Sequence, residues 1–271
     1  MADPIPTDLA TALSRSGHLG AFSRVTYHAE IGSTNDMALS MATNGEPEGA
    51  VVVADQQQAG RGRRGRDWFS PSGAGVYLSA IVRPQGAAGS VPILTLAAGA
   101  AAARAIQSVV ALPVGLKWPN DLVIGRPWRK LGGVLCETAG HGARIDAVVV
   151  GIGINLLETA YPREIADRAT SIEAELGRRV ERAPVVVAIL ESLATVVDYF
   201  HAGRLSAICD LWRGFASPSL GGAAVRWADR TGEHRGRARD IDSDGALLVE
   251  SGGRVERLVA GEVTWEGLSR E

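Results

Sequence analysis

The sequence predicts an α/β chain: a domain of alternating strands and helices, followed by a small C-terminal β-barrel. Three observations predict it. Apolar runs of strand length, AVVVAD (50–55), VYLSAIV (76–82) and IDAVVVGIGI (145–154), occur in a chain that also carries segments with helical start and stop signals. ASPSLGG (216–222) reads as a linker. Beyond it, strand-like pieces are cut by turn signals at Asp229-Arg-Thr-Gly232, Asp242-Ser-Asp-Gly245 and Ser251-Gly-Gly253, the pattern of a barrel of about 50 residues. The expected domains are therefore 1–216 and 217–271.

In order, a short amphipathic helix (about 7–16) leads into a strand, FSRVTYHAE (22–30). GSTNDMALSMATNG (32–45) is a helix with Ser33 or Thr34 as N-cap and Asn44-Gly45 as its stop. AVVVAD, an arginine–glycine loop and VYLSAIV follow, the last alternating with period two. A helix opens near Ser90, carries Pro92 in its first turn and runs to about Val110. Strand pieces are expected at 114–118, 121–124, 131–137 and 145–154; Gly151 and Gly153 end the last one, where a strand can bend and admit a ligand. Helices are expected at 171–177, 184–201 and 204–214. AAVRWAD (223–229), RGRARDI (235–241), ALLVE (246–250) and RLVAGEVTWE (257–266) are the strand pieces of the barrel, for which the spacing suggests five short strands.

Composition narrows the function. Basic and acidic residues balance at 28 against 30, with a pI near 6.2, so no general polyanion-binding surface is expected. The chain is 46% hydrophobic, enough for a sizeable core. Its longest apolar-rich stretch, residues 92–116, is alanine-rich and interrupted by Arg104 and Gln107, which fits a buried helix better than a membrane span. MADPIPTDLATAL lacks the basic and apolar regions of a secretory signal. Cys136 and Cys209 form no C-x-x-C, the pattern of a cytoplasmic protein with free thiols. The histidines His18, His28, His141, His201 and His234 form no metal-binding pair, so no protein-ligated transition metal is expected, although Mg²⁺ held by phosphates would leave no such trace. Of the 28 basic residues only Lys117 and Lys130 are lysines, and both lie in KWPNDLVIGRPWRK. Where arginine is the default, a lysine marks a place for a compact ammonium.

The segment richest in chemistry is QQAGRGRRGRDWFSPSG (57–73). Arg61, Arg63, Arg64 and Arg66 are interleaved with Gly60, Gly62 and Gly65. Glycines let the main chain approach a ligand, and guanidinium forks match phosphate and carboxylate oxygens. Four cations this close repel one another, so the loop is expected to need an anionic ligand to order it. A solvated loop or a disordered nucleic-acid arm is the bland alternative, but flanking strands and the apolar Trp68-Phe69 argue against it. The glycines satisfy G-x-G-x-x-G formally, yet RDWFSPSGAG cannot open the helix a dinucleotide site requires. Three further groups accompany the loop: Ser33-Thr34-Asn35 at a helix start, Lys117-Trp-Pro-Asn-Asp-Leu122 with Lys130-Leu-Gly-Gly-Val-Leu-Cys-Glu137, and Gly151-Ile-Gly-Ile-Asn155.

Together GSTND, the arginine block, KWPNDL, RKLGGVLCE and VVGIGINL resemble the biotin protein ligases across roughly residues 25 to 160. The resemblance implies a mixed β-sheet with flanking helices of the class II aminoacyl-tRNA synthetase and biotin ligase type. It implies ATP and biotin as substrates, with Mg²⁺, and a biotin carboxyl carrier domain of acetyl-CoA, acyl-CoA or pyruvate carboxylase as acceptor. Biotin is joined to AMP and then passed to a lysine of that domain. By the same resemblance Ser33, Thr34, Asn35, Gln57, Arg61, Gly62, Arg63, Lys130, Gly132 and Gly133 hold biotin. Arg61, Arg64, Arg66, Trp68, Asn120 and Asn155 take the nucleotide, and Lys130, Arg63 and Asp121 are catalytic. With about 20 residues before the first strand, no DNA-binding domain is expected, nor a membrane contact; a monomer or weak homodimer in the cytoplasm is. A lipoate ligase or octanoyl transferase shares the carrier-lysine logic but has no ureido group to bind. A nucleic-acid binder is the rival from another class.

Overall fold

The computed structural model describes residues 2–84, 90–141, 144–159, 161–229, 231–259, 261 and 263–266. The side chain of His141, Arg230, and Ala260 and Glu262 of the expected last strand lie outside the described residues.

Helix α1 (Thr7–Arg15) precedes β1 (Arg24–Ile31), α2 (Thr34–Thr43), β2 (Ala50–Gln57) and β3 (Gly75–Val82). Helix α3 (Ser90–Val110) is followed by β4 (Gly115–Lys117), β5 (Asp121–Ile124), β6 (Arg129–His141) and β7 (Arg144–Asn155). Four helices come next: α4 (Arg163–Ala166), α5 (Ile172–Leu176), α6 (Arg182–His201) and α7 (Leu205–Leu220). The strands form a seven-stranded sheet in the order β1-β2-β3-β7-β6-β5-β4. Only β1 and β2 pair in parallel, joined through α2, and the other pairings are antiparallel, so the sheet is mixed as expected.

Period-two alternation divides the sheet's residues between two layers. Val51, Val53, Leu78, Ala80, Val82, Val148 and Val150 face one side and join the core built on α3 and α6. Alanines 97, 98, 100–103 and 105 of α3 are all buried there, and their small side chains let α6 and the sheet come close. These two helices are long and apolar enough to cross a membrane, but here their apolar surface is largely buried in the protein core. Val52, Ile81, Ala147 and Val149 face the other side and pack on Ala38 and Ala42 of α2.

Residues 216–220 are helical rather than linker, because α7 runs to Leu220. Ile208, Trp212, Ala216 and Ser219 are all buried, and the Ser219 hydroxyl donates to Leu116 O at 3.1 Å. This face, repeating every three or four residues, outweighs the helix-breaking preference of Pro218. The last strands, β8 (Ala224–Asp229), β9 (Gly232–Ile241), β10 (Leu247–Ser251), β11 (Arg254–Leu258) and β12 (Val263–Trp265), form an antiparallel sheet in the order β11-β10-β9-β8-β12. The expected RLVAGEVTWE strand is thus two strands, and among the described residues no ladder joins β11 to β12 to close a barrel.

Candidate active site

Sheet register builds the site. Across four strands one row reads Tyr77, Gly153, Gly133 and Asp121, each paired with the next. The neighbouring row reads Ser79, Gly151 and Leu135. Both rows lie on the α2 face, where the side chains of Ala147 and Val149 give way to glycines at 151 and 153. The sheet surface is therefore bare, and other elements lie on it. A Cβ on Gly151 would sit 2.1 Å from Asn35 Oδ1, and one on Gly153 would sit 2.5 Å from Trp68 Nε1. The trench is part of a cleft of about 630 Å³ lined by the start of α2, the arginine loop, β4–β7 and residues 161–169.

One wall carries a chain of hydrogen bonds. Ser33 caps α2. Gln57 Oε1 accepts from Thr34 N at 2.8 Å and from the Thr34 hydroxyl at 3.1 Å, while its amide donates to Ser70 Oγ. Buried Ser79 lies 2.8 Å from Thr34 Oγ1 and 2.6 Å from Asn35 Oδ1. The Asn35 amide donates to Glu137 Oε2 at 2.7 Å and to Leu135 O at 3.3 Å. Because carboxylate and carbonyl oxygens accept only, they fix which way Asn35 points.

The opposite wall carries the charges. Lys130 Nζ lies 2.6 Å from Asp121 Oδ1 and Lys117 Nζ lies 3.1 Å from Asp121 Oδ2. Burial pushes the Asp121 pKa up, but the charges of Lys130 and Lys117 and their hydrogen bonds outweigh it and bring it down to about 2. Lys130 Nζ also stands 5.5 Å from the centre of the Trp68 ring. The Trp68 indole N–H is buried without a hydrogen-bond partner among the described residues, a donor free for a ligand. The Asn155 amide donates to Thr170 O at 2.9 Å and Lys130 O at 3.4 Å, clasping the start of β6 to residues 168–170.

The arginine loop closes over the trench. Its backbone bonds include Gly62 N to Arg66 O, Arg66 N to Arg63 O and Trp68 N to Gly60 O. Arg64 and Gly65 both adopt left-handed backbone, with φ of 59° and 70°. Arg61 pairs with Asp36 at 2.5 Å and Glu137 at 2.8 Å, and Arg63 donates to Asn120 Oδ1 at 3.2 Å.

Ser33, Thr34, Asn35, Gln57, Arg61, Gly62, Arg63, Arg64, Arg66, Trp68, Asn120, Asp121, Lys130, Gly133 and Asn155 all line this one cleft. Gly132 does not: it pairs with Ile154 on the sheet's other face, where a Cβ would meet Ile154 Cδ1 at 2.5 Å. Adjacent strand residues face opposite ways, so only one of the two glycines can face the trench. Asp36, Ser79, Glu137, Tyr161 and Arg168 join the expected residues in and around the site. Ser79 is a hydroxyl inside an otherwise apolar strand, and Asp36 and Glu137 end the GSTND and RKLGGVLCE motifs; Tyr161 and Arg168 carry no local signal.

Fold and cleft define a ligase-type catalytic domain followed by a small β domain. The chain belongs to the biotin/lipoate A/B protein ligase family, whose model matches residues 27–155, and a biotin protein ligase C-terminal domain matches residues 221–264. The chain is 36% identical to the biotin–[acetyl-CoA-carboxylase] ligase of Mycobacterium tuberculosis over 248 residues, which are 87% of this chain and 86% of that protein. It is 35% identical to the bifunctional ligase/repressor BirA of Bacillus subtilis over 240 residues, 88% of this chain and 72% of the relative. The biotin protein ligase of Aquifex aeolicus, solved with biotin and ATP, superposes with a TM-score of 0.77 at 26% identity, covering 90% of this chain and 98% of the other.

Proposed function

We propose that the cleft activates biotin with ATP and passes it to a lysine of a biotin carboxyl carrier domain, such as that of a biotin-dependent carboxylase. The observation that carries this reading is the convergence of two kinds of wall on one trench. A neutral hydrogen-bonding wall, Thr34, Asn35 and Gln57, suits biotin's ureido ring. A cationic wall carrying Lys130, with Arg61 and Arg63 of the loop that closes over the trench, suits the reacting carboxylate and phosphates.

In the first step a biotin carboxylate oxygen attacks the α-phosphorus of ATP and pyrophosphate leaves. Two anions must meet, so cations fixed before reaction lower the barrier. Lys130 is placed for that by Asp121 and by the Asn155 clasp, and Arg63 by Asn120. In the second step the acceptor amine attacks the carbonyl carbon of the mixed anhydride, forming the amide and releasing AMP. With its pKa near 2, Asp121 is a poor proton acceptor; its part is to hold cations, and Asn120 and Asp121 mark the side on which the acceptor lysine enters. Mg²⁺ enters with ATP, held mostly by its phosphates, as part of the substrate. Arg64, Arg66 and Trp68 take the nucleotide. We further read 1–216 and 217–271 as the two functional domains and the cytoplasm as the place of action.

Incubation with ATP, Mg²⁺ and biotin should yield biotinyl-5′-adenylate by mass spectrometry, and adding a carrier domain should convert it to biotinylated carrier. Biotin should raise the melting temperature and lipoate should not. Stabilisation by lipoate alone would move the chain to the other branch of the family.

A further inference from the structure

The proposed reaction, on which this inference rests, places a lysine-acylating anhydride in a cleft whose own wall carries two lysines. Lys117 and Lys130 are the chain's whole lysine complement, and both line the cleft. Attack by either amine on the anhydride's carbonyl carbon would form an amide to the enzyme, break the bond to the phosphate oxygen, release AMP and give the amine's proton to solvent. A catalytic cation would be lost in the process. The chemistry therefore requires two lysines within the cleft to stay inert while a third, arriving from outside, reacts. We propose that Asp121 makes this distinction, acting as a guard that keeps both wall lysines from being acylated.

The geometry gives one carboxylate oxygen to each lysine: Oδ1 to Lys130 at 2.6 Å and Oδ2 to Lys117 at 3.1 Å. An ammonium donating into a carboxylate has no lone pair with which to attack. To become a nucleophile it must lose a proton and leave Asp121, whose side chain is only 16% exposed. A largely buried carboxylate abandoned by one partner is strongly disfavoured. The backbone that carries the carboxylate is fixed by the pairing of Asp121 with Gly133. Lys117, which the mechanism leaves without a task, is explained as the second guarded group and as the charge that shares Asp121 with Lys130. The remaining basic residues on the cleft wall, Arg61, Arg63, Arg64, Arg66 and Arg168, are arginines, which stay protonated and are not acylated.

Biotinyl-5′-adenylate supplied ready-made, without carrier, bypasses the first half-reaction, and digestion with mass spectrometry locates any biotin on the enzyme. In the parent, Lys117 and Lys130 should remain unmodified over the time in which added carrier is fully labelled. In Asp121→Asn they should acquire biotin at least about tenfold faster, the scale of a lost charge-assisted hydrogen bond. Arg168→Lys adds an unguarded lysine to the same wall, and position 168 should be acylated while Lys117 and Lys130 stay free. Modification of the parent's lysines at the rate of a bystander protein's would overturn the guard, as would a folded Asp121→Asn with both lysines intact. If Asp121→Asn does not fold, an unmodified position 168 in Arg168→Lys overturns it instead, since the wall then needs no guard. Failure of the parent to label the carrier from ready-made adenylate would count against the proposed function and not against the guard.

Discussion

At the scale of single residues, the site separates groups that meet the reactants from groups that hold them. Lys130 meets them. Lys130→Ala removes a fixed cation from the point where charge builds, so adenylate formation, followed by pyrophosphate release, should fall about 10²- to 10³-fold, with a much smaller loss of biotin affinity. Asp121 holds them. Its pKa in the folded chain, about 2, lies below the ordinary 3.8, so its contribution to stability is fully present above about pH 4 and lost as pH falls through 2. Asp121 should therefore add no acid limb to the rate between about pH 5 and 8; an acid limb in that range that vanishes in Asp121→Asn would contradict this. Glu137 holds Asn35 and Arg61 from outside the cleft lining. Glu137→Leu leaves Arg61 to Asp36 alone and Asn35 to Leu135 O, and biotin affinity by calorimetry should drop about ten- to a hundredfold. Asn35, Gln57 and Lys130 were legible in the sequence because they stand within short dense motifs. Glu137 stands within such a motif too, but its partner was not legible: Asn35 of α2 and Glu137 of β6 lie 102 positions apart in sequence and meet through the packing of α2 on the sheet, and no local pattern announces such a pairing.

At the scale of elements, most strands and helices were legible to within a few residues because their apolar periodicities are strong, but short α4 was not anticipated, RLVAGEVTWE spans parts of two strands, and α7 overran its predicted end through tertiary packing. The arginine loop shows a different limit. The mutual repulsion of its cations is partly offset, because Asp36 and Glu137, distant in sequence, compensate Arg61. What still opposes order is backbone. Gly60, Gly62 and Gly65 have much freedom to lose, and Arg64 stands in left-handed backbone, which costs a non-glycine residue about 1–2 kcal/mol. Few backbone bonds oppose these costs. Trypsin should therefore cut rapidly within residues 60–66 of the free protein and slowly once biotinyl-adenylate is bound, when the ligand's phosphate adds charge-assisted bonds to the arginines. Equal cutting rates would show that the loop does not respond to the ligand.

At the scale of the whole molecule, the small β domain is part of the site's support. The buried core runs without a break from the large sheet into Val225, Trp227, Leu247, Val249 and Trp265, and Trp128 and Trp265 meet with ring centres 6.0 Å apart. Gly261 and Val263 reach the cleft itself. The most direct tie is Trp118, buried between Lys117 and the Asn120-Asp121 pair, whose indole N–H donates to Gly245 O at 2.9 Å. The small domain thereby grips the segment that carries the lysine–carboxylate cluster. Trp118→Phe keeps an aromatic ring in the core but leaves the Gly245 carbonyl unsatisfied, a cost of about 1–3 kcal/mol. If the two domains share one core, calorimetry should show a single unfolding transition in the parent and the variant, moved to lower temperature in the variant. The same change slackens the hold on Lys117 and Asp121, so adenylation should slow while biotin affinity, set on the opposite wall, stays near the parent's. Two separate transitions, or a stability loss with unchanged adenylation rate, would mean that the small domain rides on the catalytic domain without bracing it.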